Sequence, residues 1–307
     1  MHIYLPIAEL SANALGLLML GGVAGIFSGL FGIGGGFILT PLLIFMDVPP
    51  AIAVATSANM IIASSFSGFL SHLKHKRVDI DMGNWLVAGG MGGALIGVWI
   101  FAKLKRAGQI DLMISVLYIL LLGTIGVLMF REARRMYMAA RRGEPQPPQS
   151  YLHLPAWVER LPWQKQFVSS NVTHSVLVPM ALGMLSGLIV AMLGVGGGVI
   201  MIPAMIYILR MPGNVTTGTS LYQIIFITAV ATLLHAITTH SVDIVLAALL
   251  LVGSAIGAQW GVRWSRKLPT YALRGLMSSL LLLMVLRLAY GLFITPENLF
   301  TLTMAGS

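Results

Sequence analysis

Two apolar stretches of this chain are interrupted in the same way. They read "FGIGGGFILTP" from Phe31 to Pro41 and "LGVGGGVIMIP" from Leu193 to Pro203. A glycine in a helix interior costs roughly 1 kcal/mol relative to alanine. A break made twice, with the same spacing to a following proline, therefore has to do something that helix continuity cannot. Around the breaks the chain is 57% hydrophobic and 9% charged, whereas a soluble domain carries about 25% charged residues. Several apolar runs reach the roughly 20 residues that a helix needs to cross a bilayer. They are apolar all round, without the alternation of a membrane β-barrel. The expected class is an all-α polytopic membrane protein, with the lipid bilayer as its surroundings.

The chain has no cysteine, which removes disulfides, thiolate metal sites and cysteine nucleophiles. The N-terminal "MHIYLPIAEL" has no Lys or Arg before the first apolar run. It lacks the charged start of a signal peptide, so the first span is expected to stay in the mature chain. The net charge of +9 is read as topology-setting Lys and Arg rather than as a nucleic-acid surface. No metal site and no cofactor are expected.

The breaks belong to a longer repeat. Setting Gly32 on Gly194 also sets Gly34, Gly35 and Gly36 on Gly196, Gly197 and Gly198, Pro41 on Pro203 and Gly25 on Gly187. One residue of slippage aligns Thr56-Ser57 with Thr219-Ser220 and His72 with His235. One more aligns Val78-Asp79 with Val242-Asp243, and Gly93 and Gly97 later match Gly253 and Gly257. So many matches in order indicate a duplicated unit. The first copy occupies 1–130, with helices expected near 14–31, 36–46, 51–72, 83–102 and 111–130. The second occupies 175–307, with helices near 176–193, 198–209, 215–236, 243–262 and 271–294. Segment 131–174 is a basic linker whose "GEPQPPQS" cannot continue a helix. Trp157 and Trp163 suggest that part of it lies at the membrane interface.

Orientation follows from the cations. If each copy crosses an odd number of times, Lys74, Lys76 and Arg77, the linker arginines, and Arg263, Arg266 and Lys267 share one side. Only Lys103, Lys105 and Arg106 then clearly oppose them. The positive-inside rule makes that side cytoplasmic and puts both termini outside. Odd-crossing copies insert upside down relative to each other. The expected architecture is two inverted-topology repeats with glycine-broken or re-entrant helices, whose short segments 36–46 and 198–209 either span fully or turn back.

A glycine run has no side chains to crowd an approaching group, and it reaches backbone angles that other residues avoid. It can end one helix and start another, whose first amides are unpaired and carry partial positive charge. Irregular backbone at membrane depth is tolerated only when it is buried in protein or lines a wet cavity. An anion satisfies both the donors and the dipole. The competing reading is close helix packing, since Gly25, Gly29, Gly93 and Gly97 also read as small-xxx-small contacts. Neither run is a nucleotide loop. A Walker motif ends in Gly-Lys-Ser/Thr, and a dinucleotide fingerprint needs glycine where Phe37 and Val199 stand.

The paired Gly-x-Gly-Gly-Gly breaks, "ATSANMII" with "GTSLYQII", and "GVGGGVIMIPAMIYILRMPGNVTTGTSLYQ" resemble the TauE/SafE family of sulfite and organosulfonate exporters. That group is also described as 4-toluene sulfonate uptake permeases. The resemblance covers nearly the whole chain except the linker. It implies a multi-pass protein of a bacterial inner membrane that exports sulfite, a sulfonate or a related sulfur anion by secondary transport. An anion channel, or a permease for another small oxyanion or carboxylate, is the alternative. An intramembrane hydrolase is disfavoured, because the sequence has no Gly-x-Ser-Gly, no His-Glu-x-x-His and no cysteine.

The candidate substrate contacts are Gly34, Gly35 and Gly36 with Gly196, Gly197 and Gly198, together with the polar residues that open the following helices. In the first copy these are Thr56, Ser57 and Asn59, and in the second Thr219, Ser220, Tyr222 and Gln223. Hydroxyls and amides can donate to sulfonate oxygens, or they can simply bond between helices. His72 and His235 end equivalent helices, so each either carries a coupling proton or bonds a loop carbonyl. Arg287 lies inside the last apolar run, where an arginine is a functional candidate unless it snorkels outward. Asp79 and Asp243 stand at loop–helix junctions and read as caps. Homo-oligomerisation is compatible with the sequence.

Overall fold

Seven helices among the described residues are long and apolar enough to cross a membrane. The structure is a computed structural model describing residues 2–5, 10–31, 36–46, 48–142, 161–167, 169–239, 243–265 and 270–293. The first half contributes α1 (Ala14–Phe31), α2 (Gly36–Ile44), α3 (Pro50–Lys74), α4 (Ile80–Arg106) and α5 (Ile110–Arg142). The second contributes α6 (Leu177–Leu193), α7 (Gly198–Tyr207), α8 (Gly213–Thr238), α9 (Ile244–Ser265) and α10 (Thr270–Phe293). The protein is an all-α polytopic membrane protein. Two short antiparallel hairpins, β1 (His2–Leu5) with β2 (Leu10–Asn13) and β3 (Gln164–Phe167) with β4 (Val172–Ser175), are the strands among the described residues.

Helix α5 does not stop near residue 130. It runs on through Arg131, Arg134 and Arg135 to Arg142, because these are good helix formers and nothing breaks the helix before "GEPQPPQS". Trp163 is largely exposed, whereas Trp157 lies outside the described residues.

Packing follows the repeat, with partners exchanged. Helix α1 of the first copy lies along α9 of the second, and α6, its equivalent, lies along α4. These contacts are close because glycine meets backbone. A Cβ at Gly25 would sit 2.3 Å from the Ser254 carbonyl oxygen, and one at Gly93 1.9 Å from that of Met184. Gly21 meets Leu250 and Gly261 meets Ile26, so α1 and α9 run parallel; Gly89 meets Met180 and Gly97 meets Leu188, so α4 and α6 do too. Of the remaining equivalents, α3 packs on α8 and α5 on α10. Gly68 of α3 abuts Leu221 of α8, and Gly123, Gly126 and Gly275 place α5 against α10 with the numbering running in opposite directions. Equivalent helices therefore meet antiparallel.

Two reciprocal hydrogen bonds fasten α3 to α8. The Asp79 amide, just past the end of α3, donates to Thr219 Oγ1 near the start of α8 (2.9 Å). The Asp243 amide, past the end of α8, donates to Thr56 Oγ1 near the start of α3 (3.1 Å). Each aspartate then caps the next helix, Asp79 Oδ1 accepting from Met82 N and Asp243 Oδ1 from Leu246 N, both at 3.0 Å. All four residues are buried. Thr219→Val leaves the Asp79 amide without its acceptor, at a cost of about 1–3 kcal/mol. The expected result is a melting temperature several degrees lower in detergent, with Thr56→Val matching it. An unchanged melting temperature in both variants would show the bonds to be idle.

Candidate functional site

The second break is made by three left-handed residues in a row of four. Helix α6 ends at Gly194 (φ +63°), whose amide donates to the Val190 carbonyl at 2.8 Å. Gly196 (φ +77°) and Gly197 (φ +66°) follow. The left-handed region costs an L side chain roughly 1–2 kcal/mol per residue, which is why glycine occupies these positions. Helix α7 then starts with no side-chain cap. Among the described residues, the amides of Val195, Gly196 and Gly197 have no backbone acceptor. The positive end of α7 thus has no side-chain cap among the described residues.

The first break approaches the second closely. Gly34 and Gly35 lie outside the described residues, but Gly36 opens α2, and a Cβ there would stand 2.7 Å from the Gly194 carbonyl oxygen. Gly194 in turn leans on α3, its Cβ position 2.5 Å from the Val54 carbonyl oxygen and 3.0 Å from Ser57 Oγ. A buried polar chain joins the two sides. Thr40 Oγ1 and Ser57 Oγ are 2.6 Å apart, Ser57 also donates to the Val54 carbonyl at 3.1 Å, and the Tyr118 hydroxyl of α5 donates to the Leu193 carbonyl. Ile61 fills the angle between the breaks. Its side chain lies 2.1 Å from a Cβ at Gly36 and 3.0 Å from one at Gly196.

Several polar atoms on the helices that follow or precede the breaks are buried without a partner among the described residues: the hydroxyls of Ser65 on α3, Ser186 on α6, and Ser220 and Thr228 on α8, and both ends of the Gln223 amide on α8. Ser186 Oγ stands 2.5 Å from the Cβ position of Gly197. Ser65, Ser220 and Thr228 obey the repeat. On α3, Ser57, Ile61 and Ser65 recur every four residues, and Ser220, Ile224 and Thr228 repeat that pattern on α8. All six are essentially fully buried. An unsatisfied buried polar group costs about 1–3 kcal/mol, so each of these is a candidate to meet something polar.

The candidates from the sequence divide accordingly. Gly36, Gly196, Gly197, Gly198 and Ser57 fall at or beside the breaks, and Ser220 and Gln223 are buried on α8. Thr56 and Thr219 are held in the α3–α8 bonds. Asn59 is half-buried. Tyr222 turns toward α4, donating to Asn84 Oδ1 at 2.8 Å and packing against Phe69 and Phe226. His235 is buried, with Nε2 2.9 Å from the Ala191 carbonyl oxygen and its ring edge-on to Phe101. His72, at the other end of the antiparallel pair, has a buried Nδ1 without a partner among the described residues. Arg287 is exposed on the outer face of α10, over the rings of Phe45 and Tyr290. It snorkels along apolar surface instead of entering the core. Arg287→Gln is expected to leave anion flux within about twofold of wild type, as for surface changes in general; a loss of tenfold or more would place Arg287 on the transport path. Ser65, Thr228, Ser186, Thr40 and Tyr118 escaped the sequence reading. Ser65 and Thr228 share the offset that aligns Thr56 with Thr219 and were detectable from it. Among the described residues, no group of three His, Cys, Asp or Glu comes together as a metal site.

A family model described as "Sulfite exporter TauE/SafE" matches residues 17–288. The chain belongs to the TauE/SafE family. Bacillus subtilis proteins described as probable membrane transporters are similar to it along nearly their whole lengths. YunE is 27% identical, over 90% of this chain and 98% of its own, and YjnA 26% identical, over 90% and 99%. The Arabidopsis thaliana "Sulfite exporter TauE/SafE family protein 3" is 33% identical over 31% of this chain and 20% of its own. No solved structure matches. This TauE/SafE protein is thus a multi-pass member of a membrane transporter family, and both of its glycine breaks lie within the matched region.

Proposed function

We propose that this TauE/SafE protein is a secondary transporter that exports a small sulfur-containing anion, such as sulfite or an organosulfonate, by alternating access. The observation that carries this reading is the close approach of Gly36 to Gly194, next to the buried Ser57 and to the Ser186 hydroxyl, which has no partner among the described residues. An anion entering there gains backbone N–H groups, the positive end of α7, and hydroxyl and amide donors. The antiparallel pairing of equivalent helices supports an inverted duplication, in which the two copies rock about a shared site. In the orientation this implies, the basic linker is cytoplasmic and both termini are outside. His72, with a nitrogen unpartnered among the described residues, is the candidate carrier of a coupling proton.

The donors are neutral. Among the described residues, every Lys and Arg except Arg131, Arg134, Arg135 and Arg287 lies near a helix end or in a connection, and those four are exposed. The cost of stripping an ion of water rises steeply with its charge, and neutral donors repay only part of it. A singly charged ion, such as a sulfonate or hydrogensulfite, fits better than a doubly charged one. The experiment is flux in proteoliposomes loaded with sulfonates, sulfite and sulfate across a pH series. Saturable movement with counterflow, faster for monoanions, supports the reading. Flux that neither saturates nor shows counterflow would indicate a channel. No movement of any of these anions by folded protein would remove the assignment.

A further inference from the structure

A second feature lies away from the breaks. A groove of about 560 Å³ opens between α5, α6 and α7. Its walls are almost entirely Leu, Ile, Val and Met: Leu117, Leu120, Leu121 and Leu128 on α5, facing Leu188 and Ile189 on α6 and Ile200 on α7. Leu120 and Leu128 are about three-fifths exposed, so the groove is open on the side that faces lipid. Leu117 to Met129 spans about 18 Å at 1.5 Å per residue, roughly the length of one extended acyl chain.

The groove has a polar end. Glu132 closes it, accepting from Tyr207 at 3.3 Å and paired with Arg274. The acid is thereby neutralised. On the same helix, Arg131 and Arg135 lie three and seven residues beyond Leu128, and so extend the groove-lining stripe by one and two turns. Both are exposed. An apolar channel of acyl length that ends in arginines with no acidic partner among the described residues complements one class of molecule, an amphiphile with an anionic head. A second copy of this chain is a poorer occupant. A dimer about an axis along the membrane normal would set the two arginine clusters side by side.

We infer that this groove holds one acyl chain of an anionic phospholipid, with the headgroup phosphate taken by Arg131 and Arg135. The tail then lies against Leu193, immediately before the second glycine break, and against Val199 and Pro203 after it.

Purified protein in mild detergent is titrated with dioleoyl phosphatidylglycerol or dioleoyl phosphatidylcholine, with retained lipids counted by native mass spectrometry. Phosphatidylglycerol is expected to remain bound and to raise the melting temperature about 2–4 °C beyond phosphatidylcholine. Arg131→Gln/Arg135→Gln should abolish that difference while keeping the lipid-free melting temperature. Thr124→Trp, which fills the groove from an exposed position, should remove retention of both lipids. Equal effects of the two lipids, undiminished selectivity in the double variant, or a dimer whose cross-links run through Leu120 and Leu128 would each overturn the inference.

Discussion

Gly194→Val is expected to abolish transport, lowering flux at least about a hundredfold, because it fails on two independent counts. The residue is left-handed at φ +63°, where a β-branched side chain is a severe outlier. Its Cβ would also stand 2.5 Å from the Val54 carbonyl oxygen, which is backbone and cannot turn aside. Gly196→Ala separates the two effects. There φ is +77° and the nearest atom to the new Cβ is a side-chain carbon of Ile61 at 3.0 Å. The backbone penalty remains, at roughly 1–2 kcal/mol, but the steric part depends on one side chain. Gly196→Ala should therefore lose flux, and Ile61→Ala/Gly196→Ala should regain part of it. Flux in proteoliposomes is compared at matched amounts of monodisperse protein. Wild-type flux in Gly194→Val would disprove the role of the break; a double variant no better than Gly196→Ala alone would disprove the part played by Ile61.

The helices were legible in the sequence because their cause is local. In a bilayer the backbone must satisfy itself, and an apolar run of sufficient length has little choice but to be a helix. The expected segments 14–31 and 198–209 correspond to α1 and α7 within two residues at each end. The second break was legible because glycine is the residue that most readily takes positive φ angles, as at Gly194, Gly196 and Gly197. What the repeat could not disclose is which polar side chain spends its bonds on structure. Thr56 and Ser57 are adjacent and equally buried, yet one is occupied by Asp243 across the helix pair and the other borders the break. That division follows from the antiparallel crossing of α3 and α8, a tertiary fact. Ile61 illustrates the same limit. In sequence it is an ordinary apolar residue, and only the approach of Gly36 and Gly196 from two different helices gives it a place at the site.

The exchange of partners between the copies also bears on the breaks. Helix α1 is anchored to α9 and α6 to α4 by glycine-to-backbone contacts, so the helix leading into each break is held by the other copy. Tyr118 adds a second hold at the end of α6 by donating to the Leu193 carbonyl.

Gln223 should show the opposite sign for stability and for activity. It is fully buried on α8, with neither its oxygen nor its nitrogen bonded among the described residues. Leaving such groups unpaired costs about 1–3 kcal/mol each, and an apolar group of similar shape removes that cost. Gln223→Leu is accordingly expected to raise the melting temperature by several degrees while lowering flux at least about tenfold. A residue kept only for packing would do the reverse or neither, since its replacement by leucine would leave flux untouched. The equivalent position in the first copy is Met60, also fully buried, which shows that an apolar side chain of this length can be accommodated in the same setting. Met60→Gln then serves as the counterpart, and it should destabilise the protein without restoring the flux of Gln223→Leu. Thermal unfolding and proteoliposome flux measured on the same preparations decide the matter. A Gln223→Leu protein that is both less stable and fully active would show that the amide finds its partners within the fold and has no part in binding the anion.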